Sequence, residues 1–403
     1  MIQRFIFIFI AALTISLISS ISPKHTIGDF DVYYSSSQRY LAKAPVYIPH
    51  TGIEEFKYSP FFALCFSPLT LMTKTTALYV WTILNIFFFY GIFFLLYKLK
   101  QISFNCSKDL LIILCLFALT GRFIFANFKL GQVNALLCFL MVLTMYLEIN
   151  KKYFWAALVL AFSLMIKFFP LLFVFYFLLR GRFKLLTYTF LMVVVFLFLP
   201  SIYTGFSLNG QYLHDWFALL KSTPPILLYA VKNYSFLSFF SWFFVARHEP
   251  YYIFDYEYIT KGLVPAVYYA WGISCFVLFF AYFYDIFFVK DKDPKIAYFD
   301  YSCLLVCCLL FNPLAYLNAL IFLVIPYFFI LRYLFYSPLS GKYVVLSGVC
   351  VLLSFIFNLF DNKIFFNNIF FFYVFLQMKP LMWSIVLLYI ALCSAKSSLK
   401  LKS

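Results

Sequence analysis

The chain is a succession of long apolar runs separated by short turns rich in Lys and Arg. Broken at charge, Pro or Gly, the runs lie at Phe5–Ile21, 76–97, 109–126, 132–149, 153–179, 185–203, 263–289, 297–312, 314–331, 343–360 and 380–395. A helix crosses the hydrocarbon core of a bilayer with about 20 apolar residues. In that core every backbone N–H and C=O must be satisfied internally, which favours helices. Only 11% of the 403 residues are charged, against about 25% in a soluble domain. That is too little charge to cover the surface of two or three soluble domains. The sequence therefore predicts an all-α polytopic integral membrane protein. It is read as a single membrane domain over 1–403 with about 12 membrane segments. The run after Arg4 has no clear small-x-small cleavage site and is expected to be an uncleaved first helix.

The net charge of +16 invites a nucleic-acid reading, so the placement of the charges decides. With the N-terminus in the cytoplasm, segments 1–4, 98–108, 150–152, 180–184, 290–295, 332–342 and 396–403 face inward. They hold 17 Lys and Arg in 48 residues, and the opposite loops hold 13 in 141. This is the positive-inside pattern. It predicts a multi-pass cell-membrane protein with both termini cytoplasmic and no nucleic-acid partner. The two long polar stretches, 22–75 and 204–262, then face outward and carry more than half of the acidic residues. Chemistry is expected on that side.

Two runs do not fit one span each. Residues 153–179 have cytoplasmic flanks at both ends, so the run must turn back, with its tip at Lys167-Phe168-Phe169-Pro170. Each arm would be about 20 Å long at 1.5 Å per residue, short of a core of about 30 Å. Residues 297–331 repeat the pattern with a break at Asn312-Pro313. Broken backbone at membrane depth is tolerated where it is buried in protein or lines a wet cavity.

Candidate functional residues gather near these places. Asp29 and Asp31 come directly after a membrane exit, beside Tyr33. A carboxylate there serves either as a general base on a hydroxyl or as a solvated loop or helix-cap residue. Lys167 at the hairpin tip is an intramembrane cation, a functional hypothesis by default. Its natural partner is a lipid phosphate, and its alternative is snorkelling to the interface. Arg122, Lys129 and the turn Gly131-Gln132-Val133-Asn134 lie at a neighbouring outer end, where a helix N-terminus would add anion donors. Gln132 and Asn134 also read as helix–helix hydrogen-bonding residues. Lys57-Tyr58-Ser59-Pro60 opens a short apolar stretch, 60–72, expected to be an interfacial helix on the outer surface. Tyr58 there is a sugar-stacking candidate or a belt anchor. Asn233, Ser235 and His214-Asp215-Trp216 in the second outer stretch suit carbohydrate hydroxyls. Ten cysteines, most in apolar runs, read as small apolar filler. Neither they nor the four histidines show metal-ligand spacing, so no metal is expected.

The ordered set resembles glycosyltransferase family 87, of the GT-C fold class. It comprises Asp29-x-x-Val32-Tyr33, Tyr47, Lys57-Tyr58-Ser59-Pro60, Gly131-Gln132-Val133-Asn134, Ile166-Lys167-x-x-Pro170, Arg180-Gly181-Arg182 and Asn233-x-Ser235. The resemblance implies a hexosyltransferase, mannosyltransferase-like. It would move a hexose or pentose, mannose foremost, from a polyprenyl-phosphate donor to a hydroxyl of a lipid-linked or cell-envelope glycan on the extracytoplasmic side. Asp29 would be the base and Asp31 a supporting carboxylate. Lys167, Arg122 and Lys129 would meet the donor phosphate. Tyr33, Tyr58, Gln132, Asn134, Asn233, Ser235 and Asn318 would contact donor or acceptor. No cofactor is implied, and the sequence does not indicate a divalent cation. Inversion at the anomeric carbon is expected, because one base-assisted displacement needs no enzyme nucleophile. The sequence departs from the family at Asn312–Ala319, where Asn318 and Ala319 stand in place of two histidines. The alternative is a transporter or flippase of a lipid-linked glycan, which also uses broken helices. No pair of repeat halves is visible for it.

Overall fold

The computed structural model describes residues 2–19, 28–48, 55–102, 106–221, 228, 230, 232–244, 264–288, 294–338, 341–360 and 378–400. Among these residues there is no β-strand. The contacts divide the chain into two compact units, one of residues 1–107 and 123–223, the other of 108–122 and 224–403.

The first unit opens with α1 (Ile2–Ser19). The first polar stretch contains α2 (Gly28–Leu41), a helix that the average polarity of the stretch hides. It is helical because Phe30, Tyr33, Tyr34, Ser37 and Tyr40 recur at three- and four-residue spacing and bury one face. Asp29 and Asp31 sit in its first turn and Arg39 in its last, each at the end of the helix dipole that its charge favours. Next come α3 (Pro60–Phe66) and a 3₁₀ turn, Ser67–Leu71. Ser59 caps α3 by accepting from Phe62 N–H, and Pro60 takes the first position, where no N–H is needed. Then come α4 (Lys74–Lys98), α5 (Ser107–Lys129) and α6 (Asn134–Ile149). The 153–179 run divides into α7 (Tyr153–Ile166) and α8 (Leu171–Leu179), with the break at 167–170. Lys167 is extended there and Pro170 leads into α8. The expected 185–203 helix forms as α9 (Phe183–Phe198) and one turn, α10 (Ser201–Thr204). Gly205, with φ 82°, turns the chain into α11 (Phe206–Lys221), a helix inside the second polar stretch.

Gly131 has φ 61°, and its carbonyl accepts from Trp81 Nε1 at 2.7 Å. This fixes the α5–α6 turn against α4. A side chain in this left-handed conformation costs about 1–2 kcal/mol. Gly131→Ala is therefore expected to lower the thermal transition in detergent, with little change in secondary structure.

The second unit holds the start of α5 and α12 (Phe236–Phe244), α13 (Val264–Phe288) and α14 (Pro294–Phe311). A 3₁₀ turn, Leu317–Leu323, precedes α15 (Val324–Tyr336), then α16 (Lys342–Phe360) and α17 (Pro380–Lys400). The run expected as a helix from 314 instead stays irregular until the 3₁₀ turn. The Asn312 side chain accepts from Leu314 N–H and donates to Leu314 O, which closes a local turn after α14. Lys396 of α17 pairs with the buried Asp300 of α14, Nζ to Oδ1 at 2.5 Å, and also lies over the Tyr282 ring.

Among the described residues, seven helical stretches are long and apolar enough to cross a membrane: Lys74–Lys98, Ser107–Lys129, Phe183–Thr204, Val264–Tyr284, Leu317–Tyr336, Lys342–Leu359 and Pro380–Lys400. Shorter apolar helices, among them Asn134–Ile149 and Tyr153–Ile166, accompany them.

Candidate active site

An aromatic floor comes first, because it fixes the polar groups above it. Tyr33 is fully buried and meets Tyr58, Phe62, Phe66 and Trp81 edge to face, at centroid distances of 4.8, 5.3, 5.7 and 6.3 Å. Such pairs add stability beyond the area they bury. Tyr58 is held from behind: Tyr47 Oη donates to Tyr58 O at 2.8 Å. Beside it Ser59 Oγ donates to Met165 O at 2.5 Å, tying the start of α3 to the last turn of α7.

On this floor the polar atoms converge. The Tyr33 and Tyr58 hydroxyls lie 2.7 Å apart, and Tyr33 also donates to Gln132 Oε1 at 3.3 Å. Lys167 Nζ donates to Asn134 Oδ1 at 2.8 Å and sits 5.5 Å from the centre of the Tyr58 ring. The Asp29 carboxylate is close enough to act electrostatically on Tyr33, Tyr58 and Lys167. Burial, then Tyr58 and then Asp29, raises the Tyr33 phenol well above its ordinary pKa. Burial and then Asp29 do the same for Tyr58. Both phenols stay protonated and present neutral hydroxyls. Asn134 opens α6, whose leading N–H groups have no acceptor within the helix. Five of the residues named from sequence thus meet in the first unit, Tyr33, Tyr58, Gln132, Asn134 and Lys167, and a sixth, Asp29, acts on them electrostatically.

The others are placed differently. Asp31 Oδ2 pairs with Lys74 Nζ at 2.9 Å, at the start of α4. That lysine is half exposed, so the pair is worth at most about 1 kcal/mol. Asp31→Asn is expected to leave the thermal transition and the catalytic rate close to those of the wild type, which separates its role from that of Asp29. Lys129 is exposed in the last turn of α5, where the helix dipole favours a cation. Arg122 belongs to the second unit, where its Nη1 donates to Asn358 O at 3.2 Å and Asn358 Nδ2 donates back to Leu119 O at 2.8 Å. Asn233 and Ser235 are fully buried in that unit. Asn233 Nδ2 donates to Leu228 O and Pro313 O, and its Oδ1 accepts from Ser235 N–H and Ala315 N–H. Ser235 Oγ donates to Pro313 O at 3.0 Å. Both side chains thus satisfy the irregular backbone at the 312–315 break. Asn318 lies in the 3₁₀ turn after it, 8% exposed. Among the described residues no group of three or more His, Cys, Asp or Glu is arranged to hold a metal ion.

Sequence reasoning missed Trp81, which carries the Gly131 turn and walls Tyr33, and Met165, whose carbonyl anchors Ser59. Trp81 stands in an apolar run with no distinguishing neighbour. A backbone carbonyl has no sequence signature.

Apolar helices of membrane-crossing length, with a carboxylate and a half-buried ammonium gathered beside broken helices, define a multi-pass membrane protein with a polar site. The family model of glycosyltransferase family 87 matches residues 56–313, more than half of the chain. The chain belongs to glycosyltransferase family 87 and is a membrane glycosyltransferase. No curated protein and no solved structure matches it. The family match begins after Asp29, so the place of Asp29 in the site rests on its electrostatic influence on Tyr33, Tyr58 and Lys167.

Proposed function

We propose that this glycosyltransferase moves a sugar from a polyprenyl-phosphate donor to a hydroxyl of a lipid-linked or cell-envelope glycan. Mannose is the leading candidate sugar. The observation that carries the reading is the Lys167 ammonium over the Tyr58 ring and on Asn134 Oδ1, with the Asp29 carboxylate acting electrostatically on Tyr58 and Lys167. Asp29 takes the proton of the acceptor hydroxyl as its oxygen attacks the anomeric carbon. The bond from that carbon to the phosphate oxygen breaks, and polyprenyl phosphate leaves with the bonding pair. Its charge grows in the transition state, where a preplaced cation counts most. Lys167 supplies that cation, and the leading N–H groups of α6 add donors. One displacement without an enzyme nucleophile inverts the anomeric configuration.

The distribution of Lys and Arg supports an extracytoplasmic site in the cell membrane with both termini cytoplasmic. The test uses the full-length protein in detergent or liposomes, given polyprenyl-phosphate mannose, glucose and arabinose in turn. Release of polyprenyl phosphate is measured with a membrane glycolipid extract as acceptor. Release from one donor, absent in Asp29→Asn, is expected. Equal release in wild type and Asp29→Asn overturns the assignment. Mass spectrometry of envelope glycolipids in a deletion strain then identifies the product.

A further inference from the structure

The ends of α7 and α8 away from Lys167 carry charge that the proposed transfer does not use. The α6–α7 turn and the α8–α9 turn close in the same way: Lys152 N–H donates to Leu147 O at 2.8 Å and Arg182 N–H to Phe177 O at 2.9 Å. This closure satisfies helix-end carbonyls and fixes the path of each turn. Arg182 Nε donates to Glu148 Oε1 at 2.7 Å, and the guanidinium lies 5.8 Å from the centre of the Tyr153 ring. These contacts tie the two turns together. They bring Lys151, Lys152, Arg180, Arg182 and Lys184 to one end of the unit, where Glu148 is the one acidic residue of the two turns. Lys151, Lys152 and Lys184 are exposed, and the Arg182 side chain keeps 42% exposure. Glu148 occupies one of the five N–H donors of Arg182.

The C-termini of α6 and α8 both end here and add roughly half a negative charge each. With Glu148 they offset about two of the five cations, so a surplus of positive charge faces outward. An exposed apolar surface continues this patch. Phe154, directly after Tyr153, packs edge to face on Tyr188 of α9, with centroids 5.7 Å apart, and meets Trp155 at 5.4 Å. All three rings are exposed, as is Phe183 between Arg182 and Lys184. Clustered cations at the end of membrane helices, next to open aromatic surface, match an amphiphile with an anionic head and apolar chains.

We infer that the joined α6–α7 and α8–α9 turns bind an anionic glycerophospholipid, with Lys152, Arg182 and Lys184 on the headgroup phosphate and Phe154 and Tyr188 against an acyl chain. Arg182 offers the planar paired donors that suit phosphate oxygens. The bound lipid braces α7 and α8, whose other ends set Lys167 in the break at 167–170. This surface stands whether or not the transfer reaction is the one proposed above.

The experiment measures the thermal transition and the native mass spectrum of the full-length protein in detergent, titrated with dioleoyl phosphatidylglycerol, dioleoyl phosphatidylcholine or inorganic phosphate. Phosphatidylglycerol is expected to raise the transition saturably, as a ligand of the folded state does, and to bind about tenfold or more tightly than phosphatidylcholine. Lys152→Gln combined with Lys184→Gln, both at exposed positions, is expected to weaken phosphatidylglycerol binding about tenfold. Arg182→Lys keeps a cation beside Glu148 but loses the planar fork, and is expected to weaken it as well. Lys98→Gln removes an exposed cation at the end of α4 and is expected to leave binding unchanged. A turn whose cations serve topology alone would bind both phospholipids equally, and that result overturns the site. So does equal phosphatidylglycerol affinity in wild type, Arg182→Lys and the Lys152/Lys184 double variant, or a loss in Lys98→Gln as large as in the double variant. Stabilisation by inorganic phosphate equal to that by phosphatidylglycerol, with no lipid retained in the mass spectrum, overturns the lipid as the ligand.

Discussion

Asp29→Asn is expected to lower the rate of sugar transfer about 10²–10⁴-fold while leaving donor binding close to that of the wild type. The substitution keeps the size of the side chain and removes the group able to take a proton. Asp29 stands in the first turn of α2, where losing the charge costs only about 0.3–1 kcal/mol of interaction with the helix dipole. Stability is therefore expected to hold, and the loss falls on chemistry. The neighbouring phenols do not substitute as bases. Tyr33 and Tyr58 are pushed well above their ordinary pKa by burial and remain protonated at neutral pH. Nor does Asp31, whose carboxylate is directed to Lys74. The measurement is single-turnover release of polyprenyl phosphate from a labelled donor, with donor affinity measured separately. Transfer by Asp29→Asn at the wild-type rate would sink the assignment of the base. A loss that appears wholly in donor affinity would move Asp29 from proton transfer to binding.

Much of the fold is legible in the sequence because a membrane leaves few choices. The conflict between the length of 153–179 and the basic turns at both its ends locates a break, and α7 and α8 part at 167–170. The Asn312-Pro313 break is legible for the same reason, though the irregular backbone after it is not. That backbone persists because Asn233, distant in sequence, supplies hydrogen bonds to Pro313 and Ala315. Nothing local announces such a partner. In 22–75 it is average polarity that conceals α2. The period of Phe30, Tyr33, Tyr34, Ser37 and Tyr40 is present, but Ser35, Gln38 and Arg39 on the other face mask it. Within the site, residue types are legible and partners are not. Sequence proposes both Asp29 and Asp31, and only the position of Lys74 at the start of α4 separates them. Sequence groups Arg122, Lys129 and Lys167 as cations near an outer end. The structure gives Arg122 the Asn358 carbonyl, leaves Lys129 on the surface and brings Lys167 to Asn134.

Lys167→Met is expected to reduce donor affinity and to lower turnover about 10²–10³-fold, the scale for losing one preorganised donor to a developing oxyanion. Methionine keeps much of the unbranched stem and removes the charge that sits over the Tyr58 ring. The chain gives up helical hydrogen bonds to place this residue, since the break between α7 and α8 leaves Lys167 extended. Asn134 then fixes the ammonium from the side at 2.8 Å. One amide oxygen occupies one of three N–H donors, so the ammonium keeps donors for a phosphate oxygen while Asn134 holds it. An interfacial anchor would act differently. Its charge would reach toward headgroups, and its loss would alter insertion and leave donor affinity unchanged. The two roles separate when donor affinity and turnover are measured on protein that inserts normally. Lys167→Arg sharpens the separation, because an anchor tolerates either cation, whereas a site built around a compact ammonium does not. Arginine is expected to restore part of the donor affinity and little of the turnover. A broader guanidinium held by the same short break places its charge away from the breaking bond.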